Sequence, residues 1–227
     1  MQTAFPLAKR ITILFFFSLF CREGFCQYPH FSWSTDLGIQ RNFKKEQKYW
    51  AIGQTVHTIF HFTPKEAVYV WFCYYTNGNF RNDLVATGKD PFLTPHEVPY
   101  VNRSKMRLKQ FSTGWKKYLA GAEDIEKGWS IYAYAGFGLL LGRVINTHSV
   151  SLDTSVYNVP VLSGKANFKR LTIDLGLGWE IPLGGDFFFY TEGRVWIPTT
   201  DYPSKFIFVN TNAPLVGMLD AGLRLRF

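Results

Sequence analysis

The chain has 227 residues, of which 47% are hydrophobic, 18% aromatic and 19% charged, and its formal net charge is +8. This composition excludes a disordered or collagenous chain and fits one domain. The mean hydropathy of -0.06 excludes a bundle of membrane-spanning helices, since each needs roughly 18 or more apolar residues with few charges. A membrane barrel is not excluded, because its strands alternate apolar and polar residues.

The N-terminal segment predicts export. Two basic residues precede an apolar run at 11–20, which has the charged head and short apolar centre of a secretory signal peptide. Small residues three and one positions upstream favour cleavage before Gln27, so we predict a signal peptide at 1–26 and a single barrel domain at 27–227. Cys73 is the one cysteine of that domain, so no internal disulfide is expected to stabilise it.

Alternation of apolar and polar residues with period two predicts eight strands. The pattern is clearest at 171–183, where the odd positions are apolar and the even positions carry polar residues or Gly. In the fourth predicted strand the parity of the apolar positions changes midway, which predicts a β-bulge. In chain order, the predicted strands are 31–43, 49–62, 68–76, 105–115, 129–141, 171–183, 187–197 and 215–227.

The predicted connections differ in length between the two rims. Those at 77–104, 145–167 and 199–213 are long and share one rim, whereas the connection at 184–186 on the other rim has three residues. Outer-membrane barrels show this asymmetry, with short periplasmic turns and long outer loops. We therefore predict an all-β fold: an eight-stranded antiparallel transmembrane β-barrel in up-and-down meander order, located in the outer membrane.

The polar face of the predicted strands defines a candidate lumen. Eight strands enclose only enough room for side chains, and charges removed from water need close partners. The turn at Gly185 pairs Arg194 with Gly176, diagonal to Asp174, within reach of a long side chain. We predict a filled lumen without an open pore, held by an ion network of Asp174, Glu180, Glu192, Arg194, Asp220 and Arg224.

The C-terminus resembles the terminal assembly signal of outer-membrane barrels. The matching positions are a polar residue, a glycine two later, a hydrophobe and a final aromatic: Asp220, Gly222, Leu225 and Phe227. The resemblance implies that the barrel-assembly machinery is a partner. Over the mature chain it extends to small eight-stranded bacterial barrels of the OmpA/OmpX type, with no narrower family, and we expect a monomer.

Candidate catalytic residues cluster in one predicted outer loop, at His148, Ser149, Ser151 and Asp153. A hydrolytic site needs the base within hydrogen-bond reach of the nucleophile, and neighbouring positions in a loop do not ensure this. The sequence therefore favours a structural or surface-interaction role over catalysis. Two alternatives remain open, namely a lipid A-modifying acyltransferase or deacylase and an exported soluble barrel that binds a ligand.

Metals, cofactors and nucleic acids are not predicted as ligands. His57 and His61 share one strand face but lie about 13 Å apart by strand rise, too far to share a metal directly. The basic residues are spread along the sequence without a clustered groove. Anionic outer-membrane lipid, with the phosphates of lipopolysaccharide in particular, is the expected partner of cations near the outer rim, which are Lys89, Arg103, Lys165, Lys169 and Arg170.

Overall fold

The computed structural model describes residues 30–199 and 215–227. The predicted signal peptide and most of the connection predicted at 199–213 therefore lie outside the described residues. A short 3-10 helix at Lys45–Gln47 accompanies the strands. The strands are β1 (His30–Asn42), β2 (Trp50–Thr63), β3 (Glu66–Gly88), β4 (Glu97–Ala120), β5 (Ser130–His148), β6 (Tyr157–Asn158), β7 (Gly164–Gly184), β8 (Phe187–Pro198) and β9 (Val216–Arg226).

Eight of these strands close into one antiparallel barrel. Each pairs with the next along the chain, except that β5 pairs with β7, because β6 is a two-residue strand bound to the end of β3. Pairing of β9 with β1 closes the ring, so its backbone groups are paired between strands on both sides. The predicted eight-stranded up-and-down barrel is confirmed. The described part of the chain contains no helix with the length and apolarity that a bilayer crossing requires.

The two faces of the strands separate as the alternation predicts. On β7, Leu171, Ile173 and Leu175 point outward and are exposed, whereas Thr172 and Asp174 point inward and are buried. The same division holds on the other barrel strands, where large apolar side chains form an exposed belt on the outside. Exposed apolar surface on this scale marks contact with an apolar surrounding, here the bilayer.

Most of one predicted connection and part of a second one are strand. The segment 77–104 is mostly strand, since β3 continues to Gly88 and β4 begins at Glu97, and the segment 145–167 gives four residues to each of β5 and β7. These four strands rise beyond the others at the rim where β1 ends and β9 begins, which we call the outer rim. We call this extension of β3, β4, β5 and β7 the wall.

The bulge predicted in the fourth strand lies instead in β3. Tyr75 pairs with Leu108 but Gly78 pairs with Met106, so β3 contains one extra residue. Asn77 in this bulge has a φ of 62°, a left-handed conformation that Asn tolerates better than most residues. In β4 the even positions face inward throughout. The apolar pattern changes parity there because Met106 and Leu108 are apolar and yet face the lumen.

Glycines on the inward face of β7 make room for tyrosine rings of β5. Gly176 lies opposite Tyr134 and Gly178 opposite Tyr132, and a Cβ atom at either glycine would overlap the ring of its tyrosine. Both tyrosines are buried. The small residues that the sequence placed toward the lumen therefore allow two aromatic rings to fill it.

This packing gives a prediction with a matched control. Gly176→Ala should lower the free energy of unfolding by about 1 to 3 kcal/mol, because the added methyl overpacks the lumen against Tyr134. Gly193→Ala on the outward face of β8 should have little effect, since its Cβ would meet only Leu219 Cδ2, at 3.9 Å. Urea unfolding of both variants in vesicles checks this, and equal effects would contradict a crowded lumen.

Candidate functional site

The centre of the lumen holds a cluster built around Arg194 of β8. Its guanidinium lies 2.5 Å from Asp36, 3.2 Å from Glu192 and 3.0 Å from Asp220, and 4.9 Å from the centre of the Trp71 ring. All three carboxylates are buried. We call Asp36, His57, Glu192, Arg194 and Asp220 the central cluster, in which His57 Nε2 lies 2.9 Å from Asp36.

Tyrosine hydroxyls donate hydrogen bonds to the three carboxylates of the central cluster. Tyr75 donates to Asp220 at 2.6 Å, Tyr132 to Glu192 at 2.7 Å and Tyr190 to Asp36 at 3.0 Å. These donors come from three different strands, so they tie opposite sides of the barrel together. Carboxylates taken out of water need such partners.

Asp174 does not contact Arg194, although the pairing of Arg194 with Gly176 is as expected. Its carboxylate instead accepts hydrogen bonds from Ser112, from Gln110 at 2.8 Å and from Thr172 at 2.8 Å. The guanidinium instead contacts Asp220, its diagonal neighbour on the adjacent strand β9, and Asp36 on β1, the strand beyond β9. The expected partner on β7 is thus replaced by carboxylates on the other flank of β8.

A second cluster closes the lumen nearer the inner rim, where β1 begins and β9 ends. Arg224 of β9 donates twice to Glu180, at 2.9 Å and 2.6 Å, and once to Ser32 at 2.9 Å. Lys116 Nζ lies 4.0 Å from Glu180 and 3.5 Å from the centre of the Tyr132 ring. We call Ser32, Lys116, Glu123, Glu180 and Arg224 the lower cluster.

Glu123 belongs to the turn between β4 and β5 but its side chain is fully buried in the barrel mouth. It lies 2.6 Å from His30 and 3.8 Å from Arg224, and its backbone N–H donates to Pro64 at 2.9 Å. The turn between β4 and β5 therefore meets the start of β1, the end of β9 and the turn between β2 and β3 at the inner opening. It places the Glu123 side chain within the mouth of the barrel.

On the outer side of the central cluster the lumen is mostly apolar. Side chains from seven of the eight barrel strands pack there, and the layer contains Tyr49, Ala51, Cys73, Tyr75, Phe80, Met106, Leu108, Leu140, Val144, Phe168, Trp196, Val216 and Met218. The eighth strand, β1, contributes the buried polar side chains of Gln40 and Asn42 opposite Met218 and Val216. The lumen of the described chain is filled by two ion clusters and one apolar layer.

Sequence reasoning missed five members of the two ion clusters, one of which is Ser32 on the inward face of β1. Asp36 and His57 lie on strand faces that were recognised as polar, yet their partners are on strands far away in sequence. Lys116 lies just beyond the predicted end of its strand. Glu123 carries no strand signal, because it lies in a turn.

One group of described residues has the composition of a metal site. Asp36, His57 and Glu192 each place a ligand atom within 4.8 Å of the others. The guanidinium of Arg194 contacts both carboxylates, and a second cation at this place would face its charge. The geometry therefore fits an ion network.

The candidate catalytic residues occupy separate environments at the top of β5. His148 packs on the Tyr100 ring, with 4.6 Å between ring centres, and burial lowers the pKa of its imidazole. The hydroxyl of Ser149 accepts the backbone N–H of Val101 at 2.9 Å. Hydrogen bonds from the side chain of Ser155 and from its backbone N–H, the latter at 2.8 Å, lower the pKa of the Asp153 carboxyl group. Ser151 is exposed, and in the described chain no hydrogen bond joins it or Ser149 to His148.

The outside of the wall carries a cationic face. β4 points four basic side chains outward in succession, and neighbouring strands add four more. Its members are Arg81, Arg103, Lys105, Arg107, Lys109, Arg143, Lys165 and Lys169. The interpretation that basic residues are not clustered is wrong, because strand pairing brings together positions that are distant in sequence.

Three of the five cations expected at the outer rim belong to this face, whereas Lys89 and Arg170 do not. Lys89 Nζ donates to the carbonyl of Thr154 at 2.8 Å and ties two outer loops together. Arg170 lies on the inward side of β7 and donates to the carbonyl of Lys169 at 2.6 Å. The Lys89 side chain thus stabilises the outer loops, and the Arg170 side chain stabilises the wall.

Comparison with known proteins gives matches in structure alone. No family model matches the sequence, and no curated protein matches it. Neisserial surface protein A is similar with a TM-score of 0.55 and 11% identity, over 87% of this chain and 97% of that one. A major outer membrane protein from Thermus thermophilus is similar with a TM-score of 0.52 and 12% identity, over 87% and 99%.

The attachment invasion locus protein Ail of Yersinia pestis, in complex with the heparin analogue sucrose octasulfate, is similar with a TM-score of 0.50 and 12% identity. The match covers 88% of this chain and 100% of Ail. At these identities the likeness defines the fold. The chain has the fold of small bacterial outer-membrane β-barrel proteins.

Proposed function

We propose that the protein is a closed, non-conducting barrel of the outer membrane with a structural or surface-interaction role. The observation that carries this proposal is the filled lumen: the lower cluster, the central cluster and the apolar layer follow one another along the inside of a barrel whose outer belt is apolar. Eight strands enclose no room for bulk water beside these side chains. The wall, held above the belt, is the surface offered to partners.

Planar-bilayer recording tests the filled lumen. Purified protein should insert without large steady conductance, because no continuous water path crosses the apolar layer. Fractionation tests the location: the protein should resist carbonate extraction, require detergent and migrate faster unboiled than boiled. A large steady conductance would refute the closed lumen, and release with the periplasmic contents would refute the membrane location.

Outer-leaflet lipid, and lipopolysaccharide in particular, is the partner that best fits the cationic face. Basic side chains beside anionic headgroups gain electrostatic attraction. On this face the acidic side chains of the described strands are confined to Asp83, which is paired with Arg81 at 3.1 Å, and Glu97 at the top of β4. The face therefore keeps a strong positive charge.

Export and assembly belong to the same proposal. We propose cleavage before Gln27 and recognition of the last strand by the barrel-assembly machinery through Asp220, Gly222, Leu225 and Phe227. Phe227 supports this role, because its side chain is 64% exposed at the inner rim while its backbone N–H pairs with Phe31 at 2.8 Å. An exposed aromatic at the chain end is available to a partner.

Deletion of Phe227, or its replacement by Asp, should strongly reduce the amount of membrane-inserted protein and leave export intact. Its contacts in the folded barrel are few, the Phe31 ring being 5.7 Å away, so the loss would act on assembly. Immunoblots of outer-membrane and periplasmic fractions measure both steps. Phe227→Tyr is the control and should insert normally, and normal insertion of all variants would contradict the assembly signal.

A further inference from the structure

We propose that the cleft between Arg107 and Arg143 on the cationic face binds the phosphate group of an outer-leaflet lipid. This inference rests on the proposed outer-membrane location. It goes beyond that location because it assigns one binding site, with defined residues, within the broad cationic face. The cleft lies on the outside of the wall, between β4, β5 and β7.

The two arginines form an unfavourable pair in the protein alone. Arg107 and Arg143 lie directly opposite each other on adjacent strands, and like charges at such positions destabilise a sheet. The Nε atom of each is enclosed and has no hydrogen-bond partner. No acceptor of the described chain thus pairs with either Nε atom, and the two guanidinium charges repel each other.

A phosphate group supplies both the hydrogen-bond acceptors and the negative charge that the two arginines lack in the protein alone. Its oxygens accept paired hydrogen bonds from the planar guanidinium, and its negative charge offsets both cations. Arg is better suited than Lys to this geometry, because its donors form a rigid fork. Two arginines at opposed positions can hold one phosphate between them.

The surroundings of the pair indicate that the phosphate belongs to a lipid. The cleft has a volume of about 580 Å³, and besides the arginines its lining includes Lys109 and Lys169, together with the apolar side chains of Phe72 and Leu141. Lys109 also lies 5.6 Å from the centre of the Tyr74 ring. A free phosphate ion would gain nothing from the apolar lining, whereas the acyl chains of a lipid would.

The height of the cleft also matches a lipid headgroup. Phe111, which is 53% exposed, marks the apolar belt on the outward face of β4. Arg107 lies four residues further along the same face, which is about 13 Å along the strand and less in height because barrel strands tilt. Lipid phosphates lie at this boundary between hydrocarbon and water.

Binding of lipid A by the full barrel in an uncharged detergent tests the proposal. The probes are lipid A with both phosphates, the same lipid dephosphorylated, and inorganic phosphate, each titrated by calorimetry. The Arg107→Gln/Arg143→Gln variant should bind phosphorylated lipid A at least about tenfold more weakly, because charge-assisted hydrogen bonds are lost. Faster migration of unboiled protein verifies that each variant is folded.

The matched control removes the same amount of charge from the same face. Arg81→Gln/Arg103→Gln should weaken binding by less than about threefold, since exposed charges act through screened attraction. Equal loss in both double variants would overturn the cleft and leave lipopolysaccharide as a partner of the whole face. Equal affinity for dephosphorylated lipid A would show that the phosphate has no role in binding. Equal affinity for inorganic phosphate would overturn the claim that the ligand is a lipid. Absence of binding to every probe would overturn the site, whereas a conducting barrel would overturn the proposed function.

Discussion

Arg194→Met is expected to lower the free energy of unfolding of the barrel by about 3 kcal/mol, because it leaves buried carboxylates without their cation. Asp36, Glu192 and Asp220 all lie within 3.2 Å of the guanidinium that is removed. Met retains much of the volume of the side chain, so the change reports mainly on charge. Urea unfolding in lipid vesicles, followed by tryptophan fluorescence, measures it.

Two further variants separate the ion network from a general effect of losing an arginine. Arg81→Met removes an exposed ion pair, whose side chains are 62% and 78% exposed, and should change the free energy of unfolding by at most about 1 kcal/mol. Adding Asp220→Asn to Arg194→Met should restore part of the loss, because one uncompensated charge disappears. An unchanged free energy of unfolding for Arg194→Met would contradict the ion network.

Leu175→Arg should lower the free energy of unfolding by about 2 to 4 kcal/mol, because it places a charge on the lipid face near the middle of the bilayer. Leu175 is 43% exposed on the outside of β7, and its neighbour Ile173 on the same face should respond similarly. The same unfolding assay in vesicles measures the effect. It tests which face of the barrel meets hydrocarbon.

An arginine introduced outside the apolar belt provides the control for Leu175→Arg. Thr87 points outward near the top of β3, beyond the belt, and lies opposite Glu97. Thr87→Arg should stay within about 0.5 kcal/mol of the wild type, as surface substitutions usually do. If Leu175→Arg and Ile173→Arg inserted with unchanged stability, the apolar belt would not face lipid.

Alternation along the sequence was sufficient to predict the fold and the direction of the faces. Ile173 and Leu175 were assigned outward and Asp174 inward, and the structure places them so. The prediction succeeds because the outward side chains of the belt are uniformly apolar while the inward ones include charged residues. This difference imposes a period of two on the sequence. The height of the wall was not predictable in this way, since above the belt the outward face turns basic while Met106 and Leu108 face inward.

The charged partners in the lumen were harder to infer than the faces. Pairing of Arg194 with Gly176 follows from a short turn and Asp220 was predicted in the same network, but the contact with Asp36 depends on how the ring closes. Side chains across a narrow barrel are neighbours regardless of separation in sequence. Glu123 illustrates the limit, because a turn residue enters the lumen without any periodic signal.

Above the bulge in β3, the faces of the upper hairpin depend on the parity of its length. Beyond Asn77 the inward positions of β3 are even, whereas below it they are odd. Loss of Asn77 itself would restore regular alternation and leave Phe80 facing the lumen, whereas loss of one residue beyond Phe80 would reverse the faces of the residues that follow, because each residue step reverses the side of the sheet. Insertions and deletions of two residues in the wall would preserve its faces. Sequence divergence between the bulge and the tip should therefore proceed in even steps.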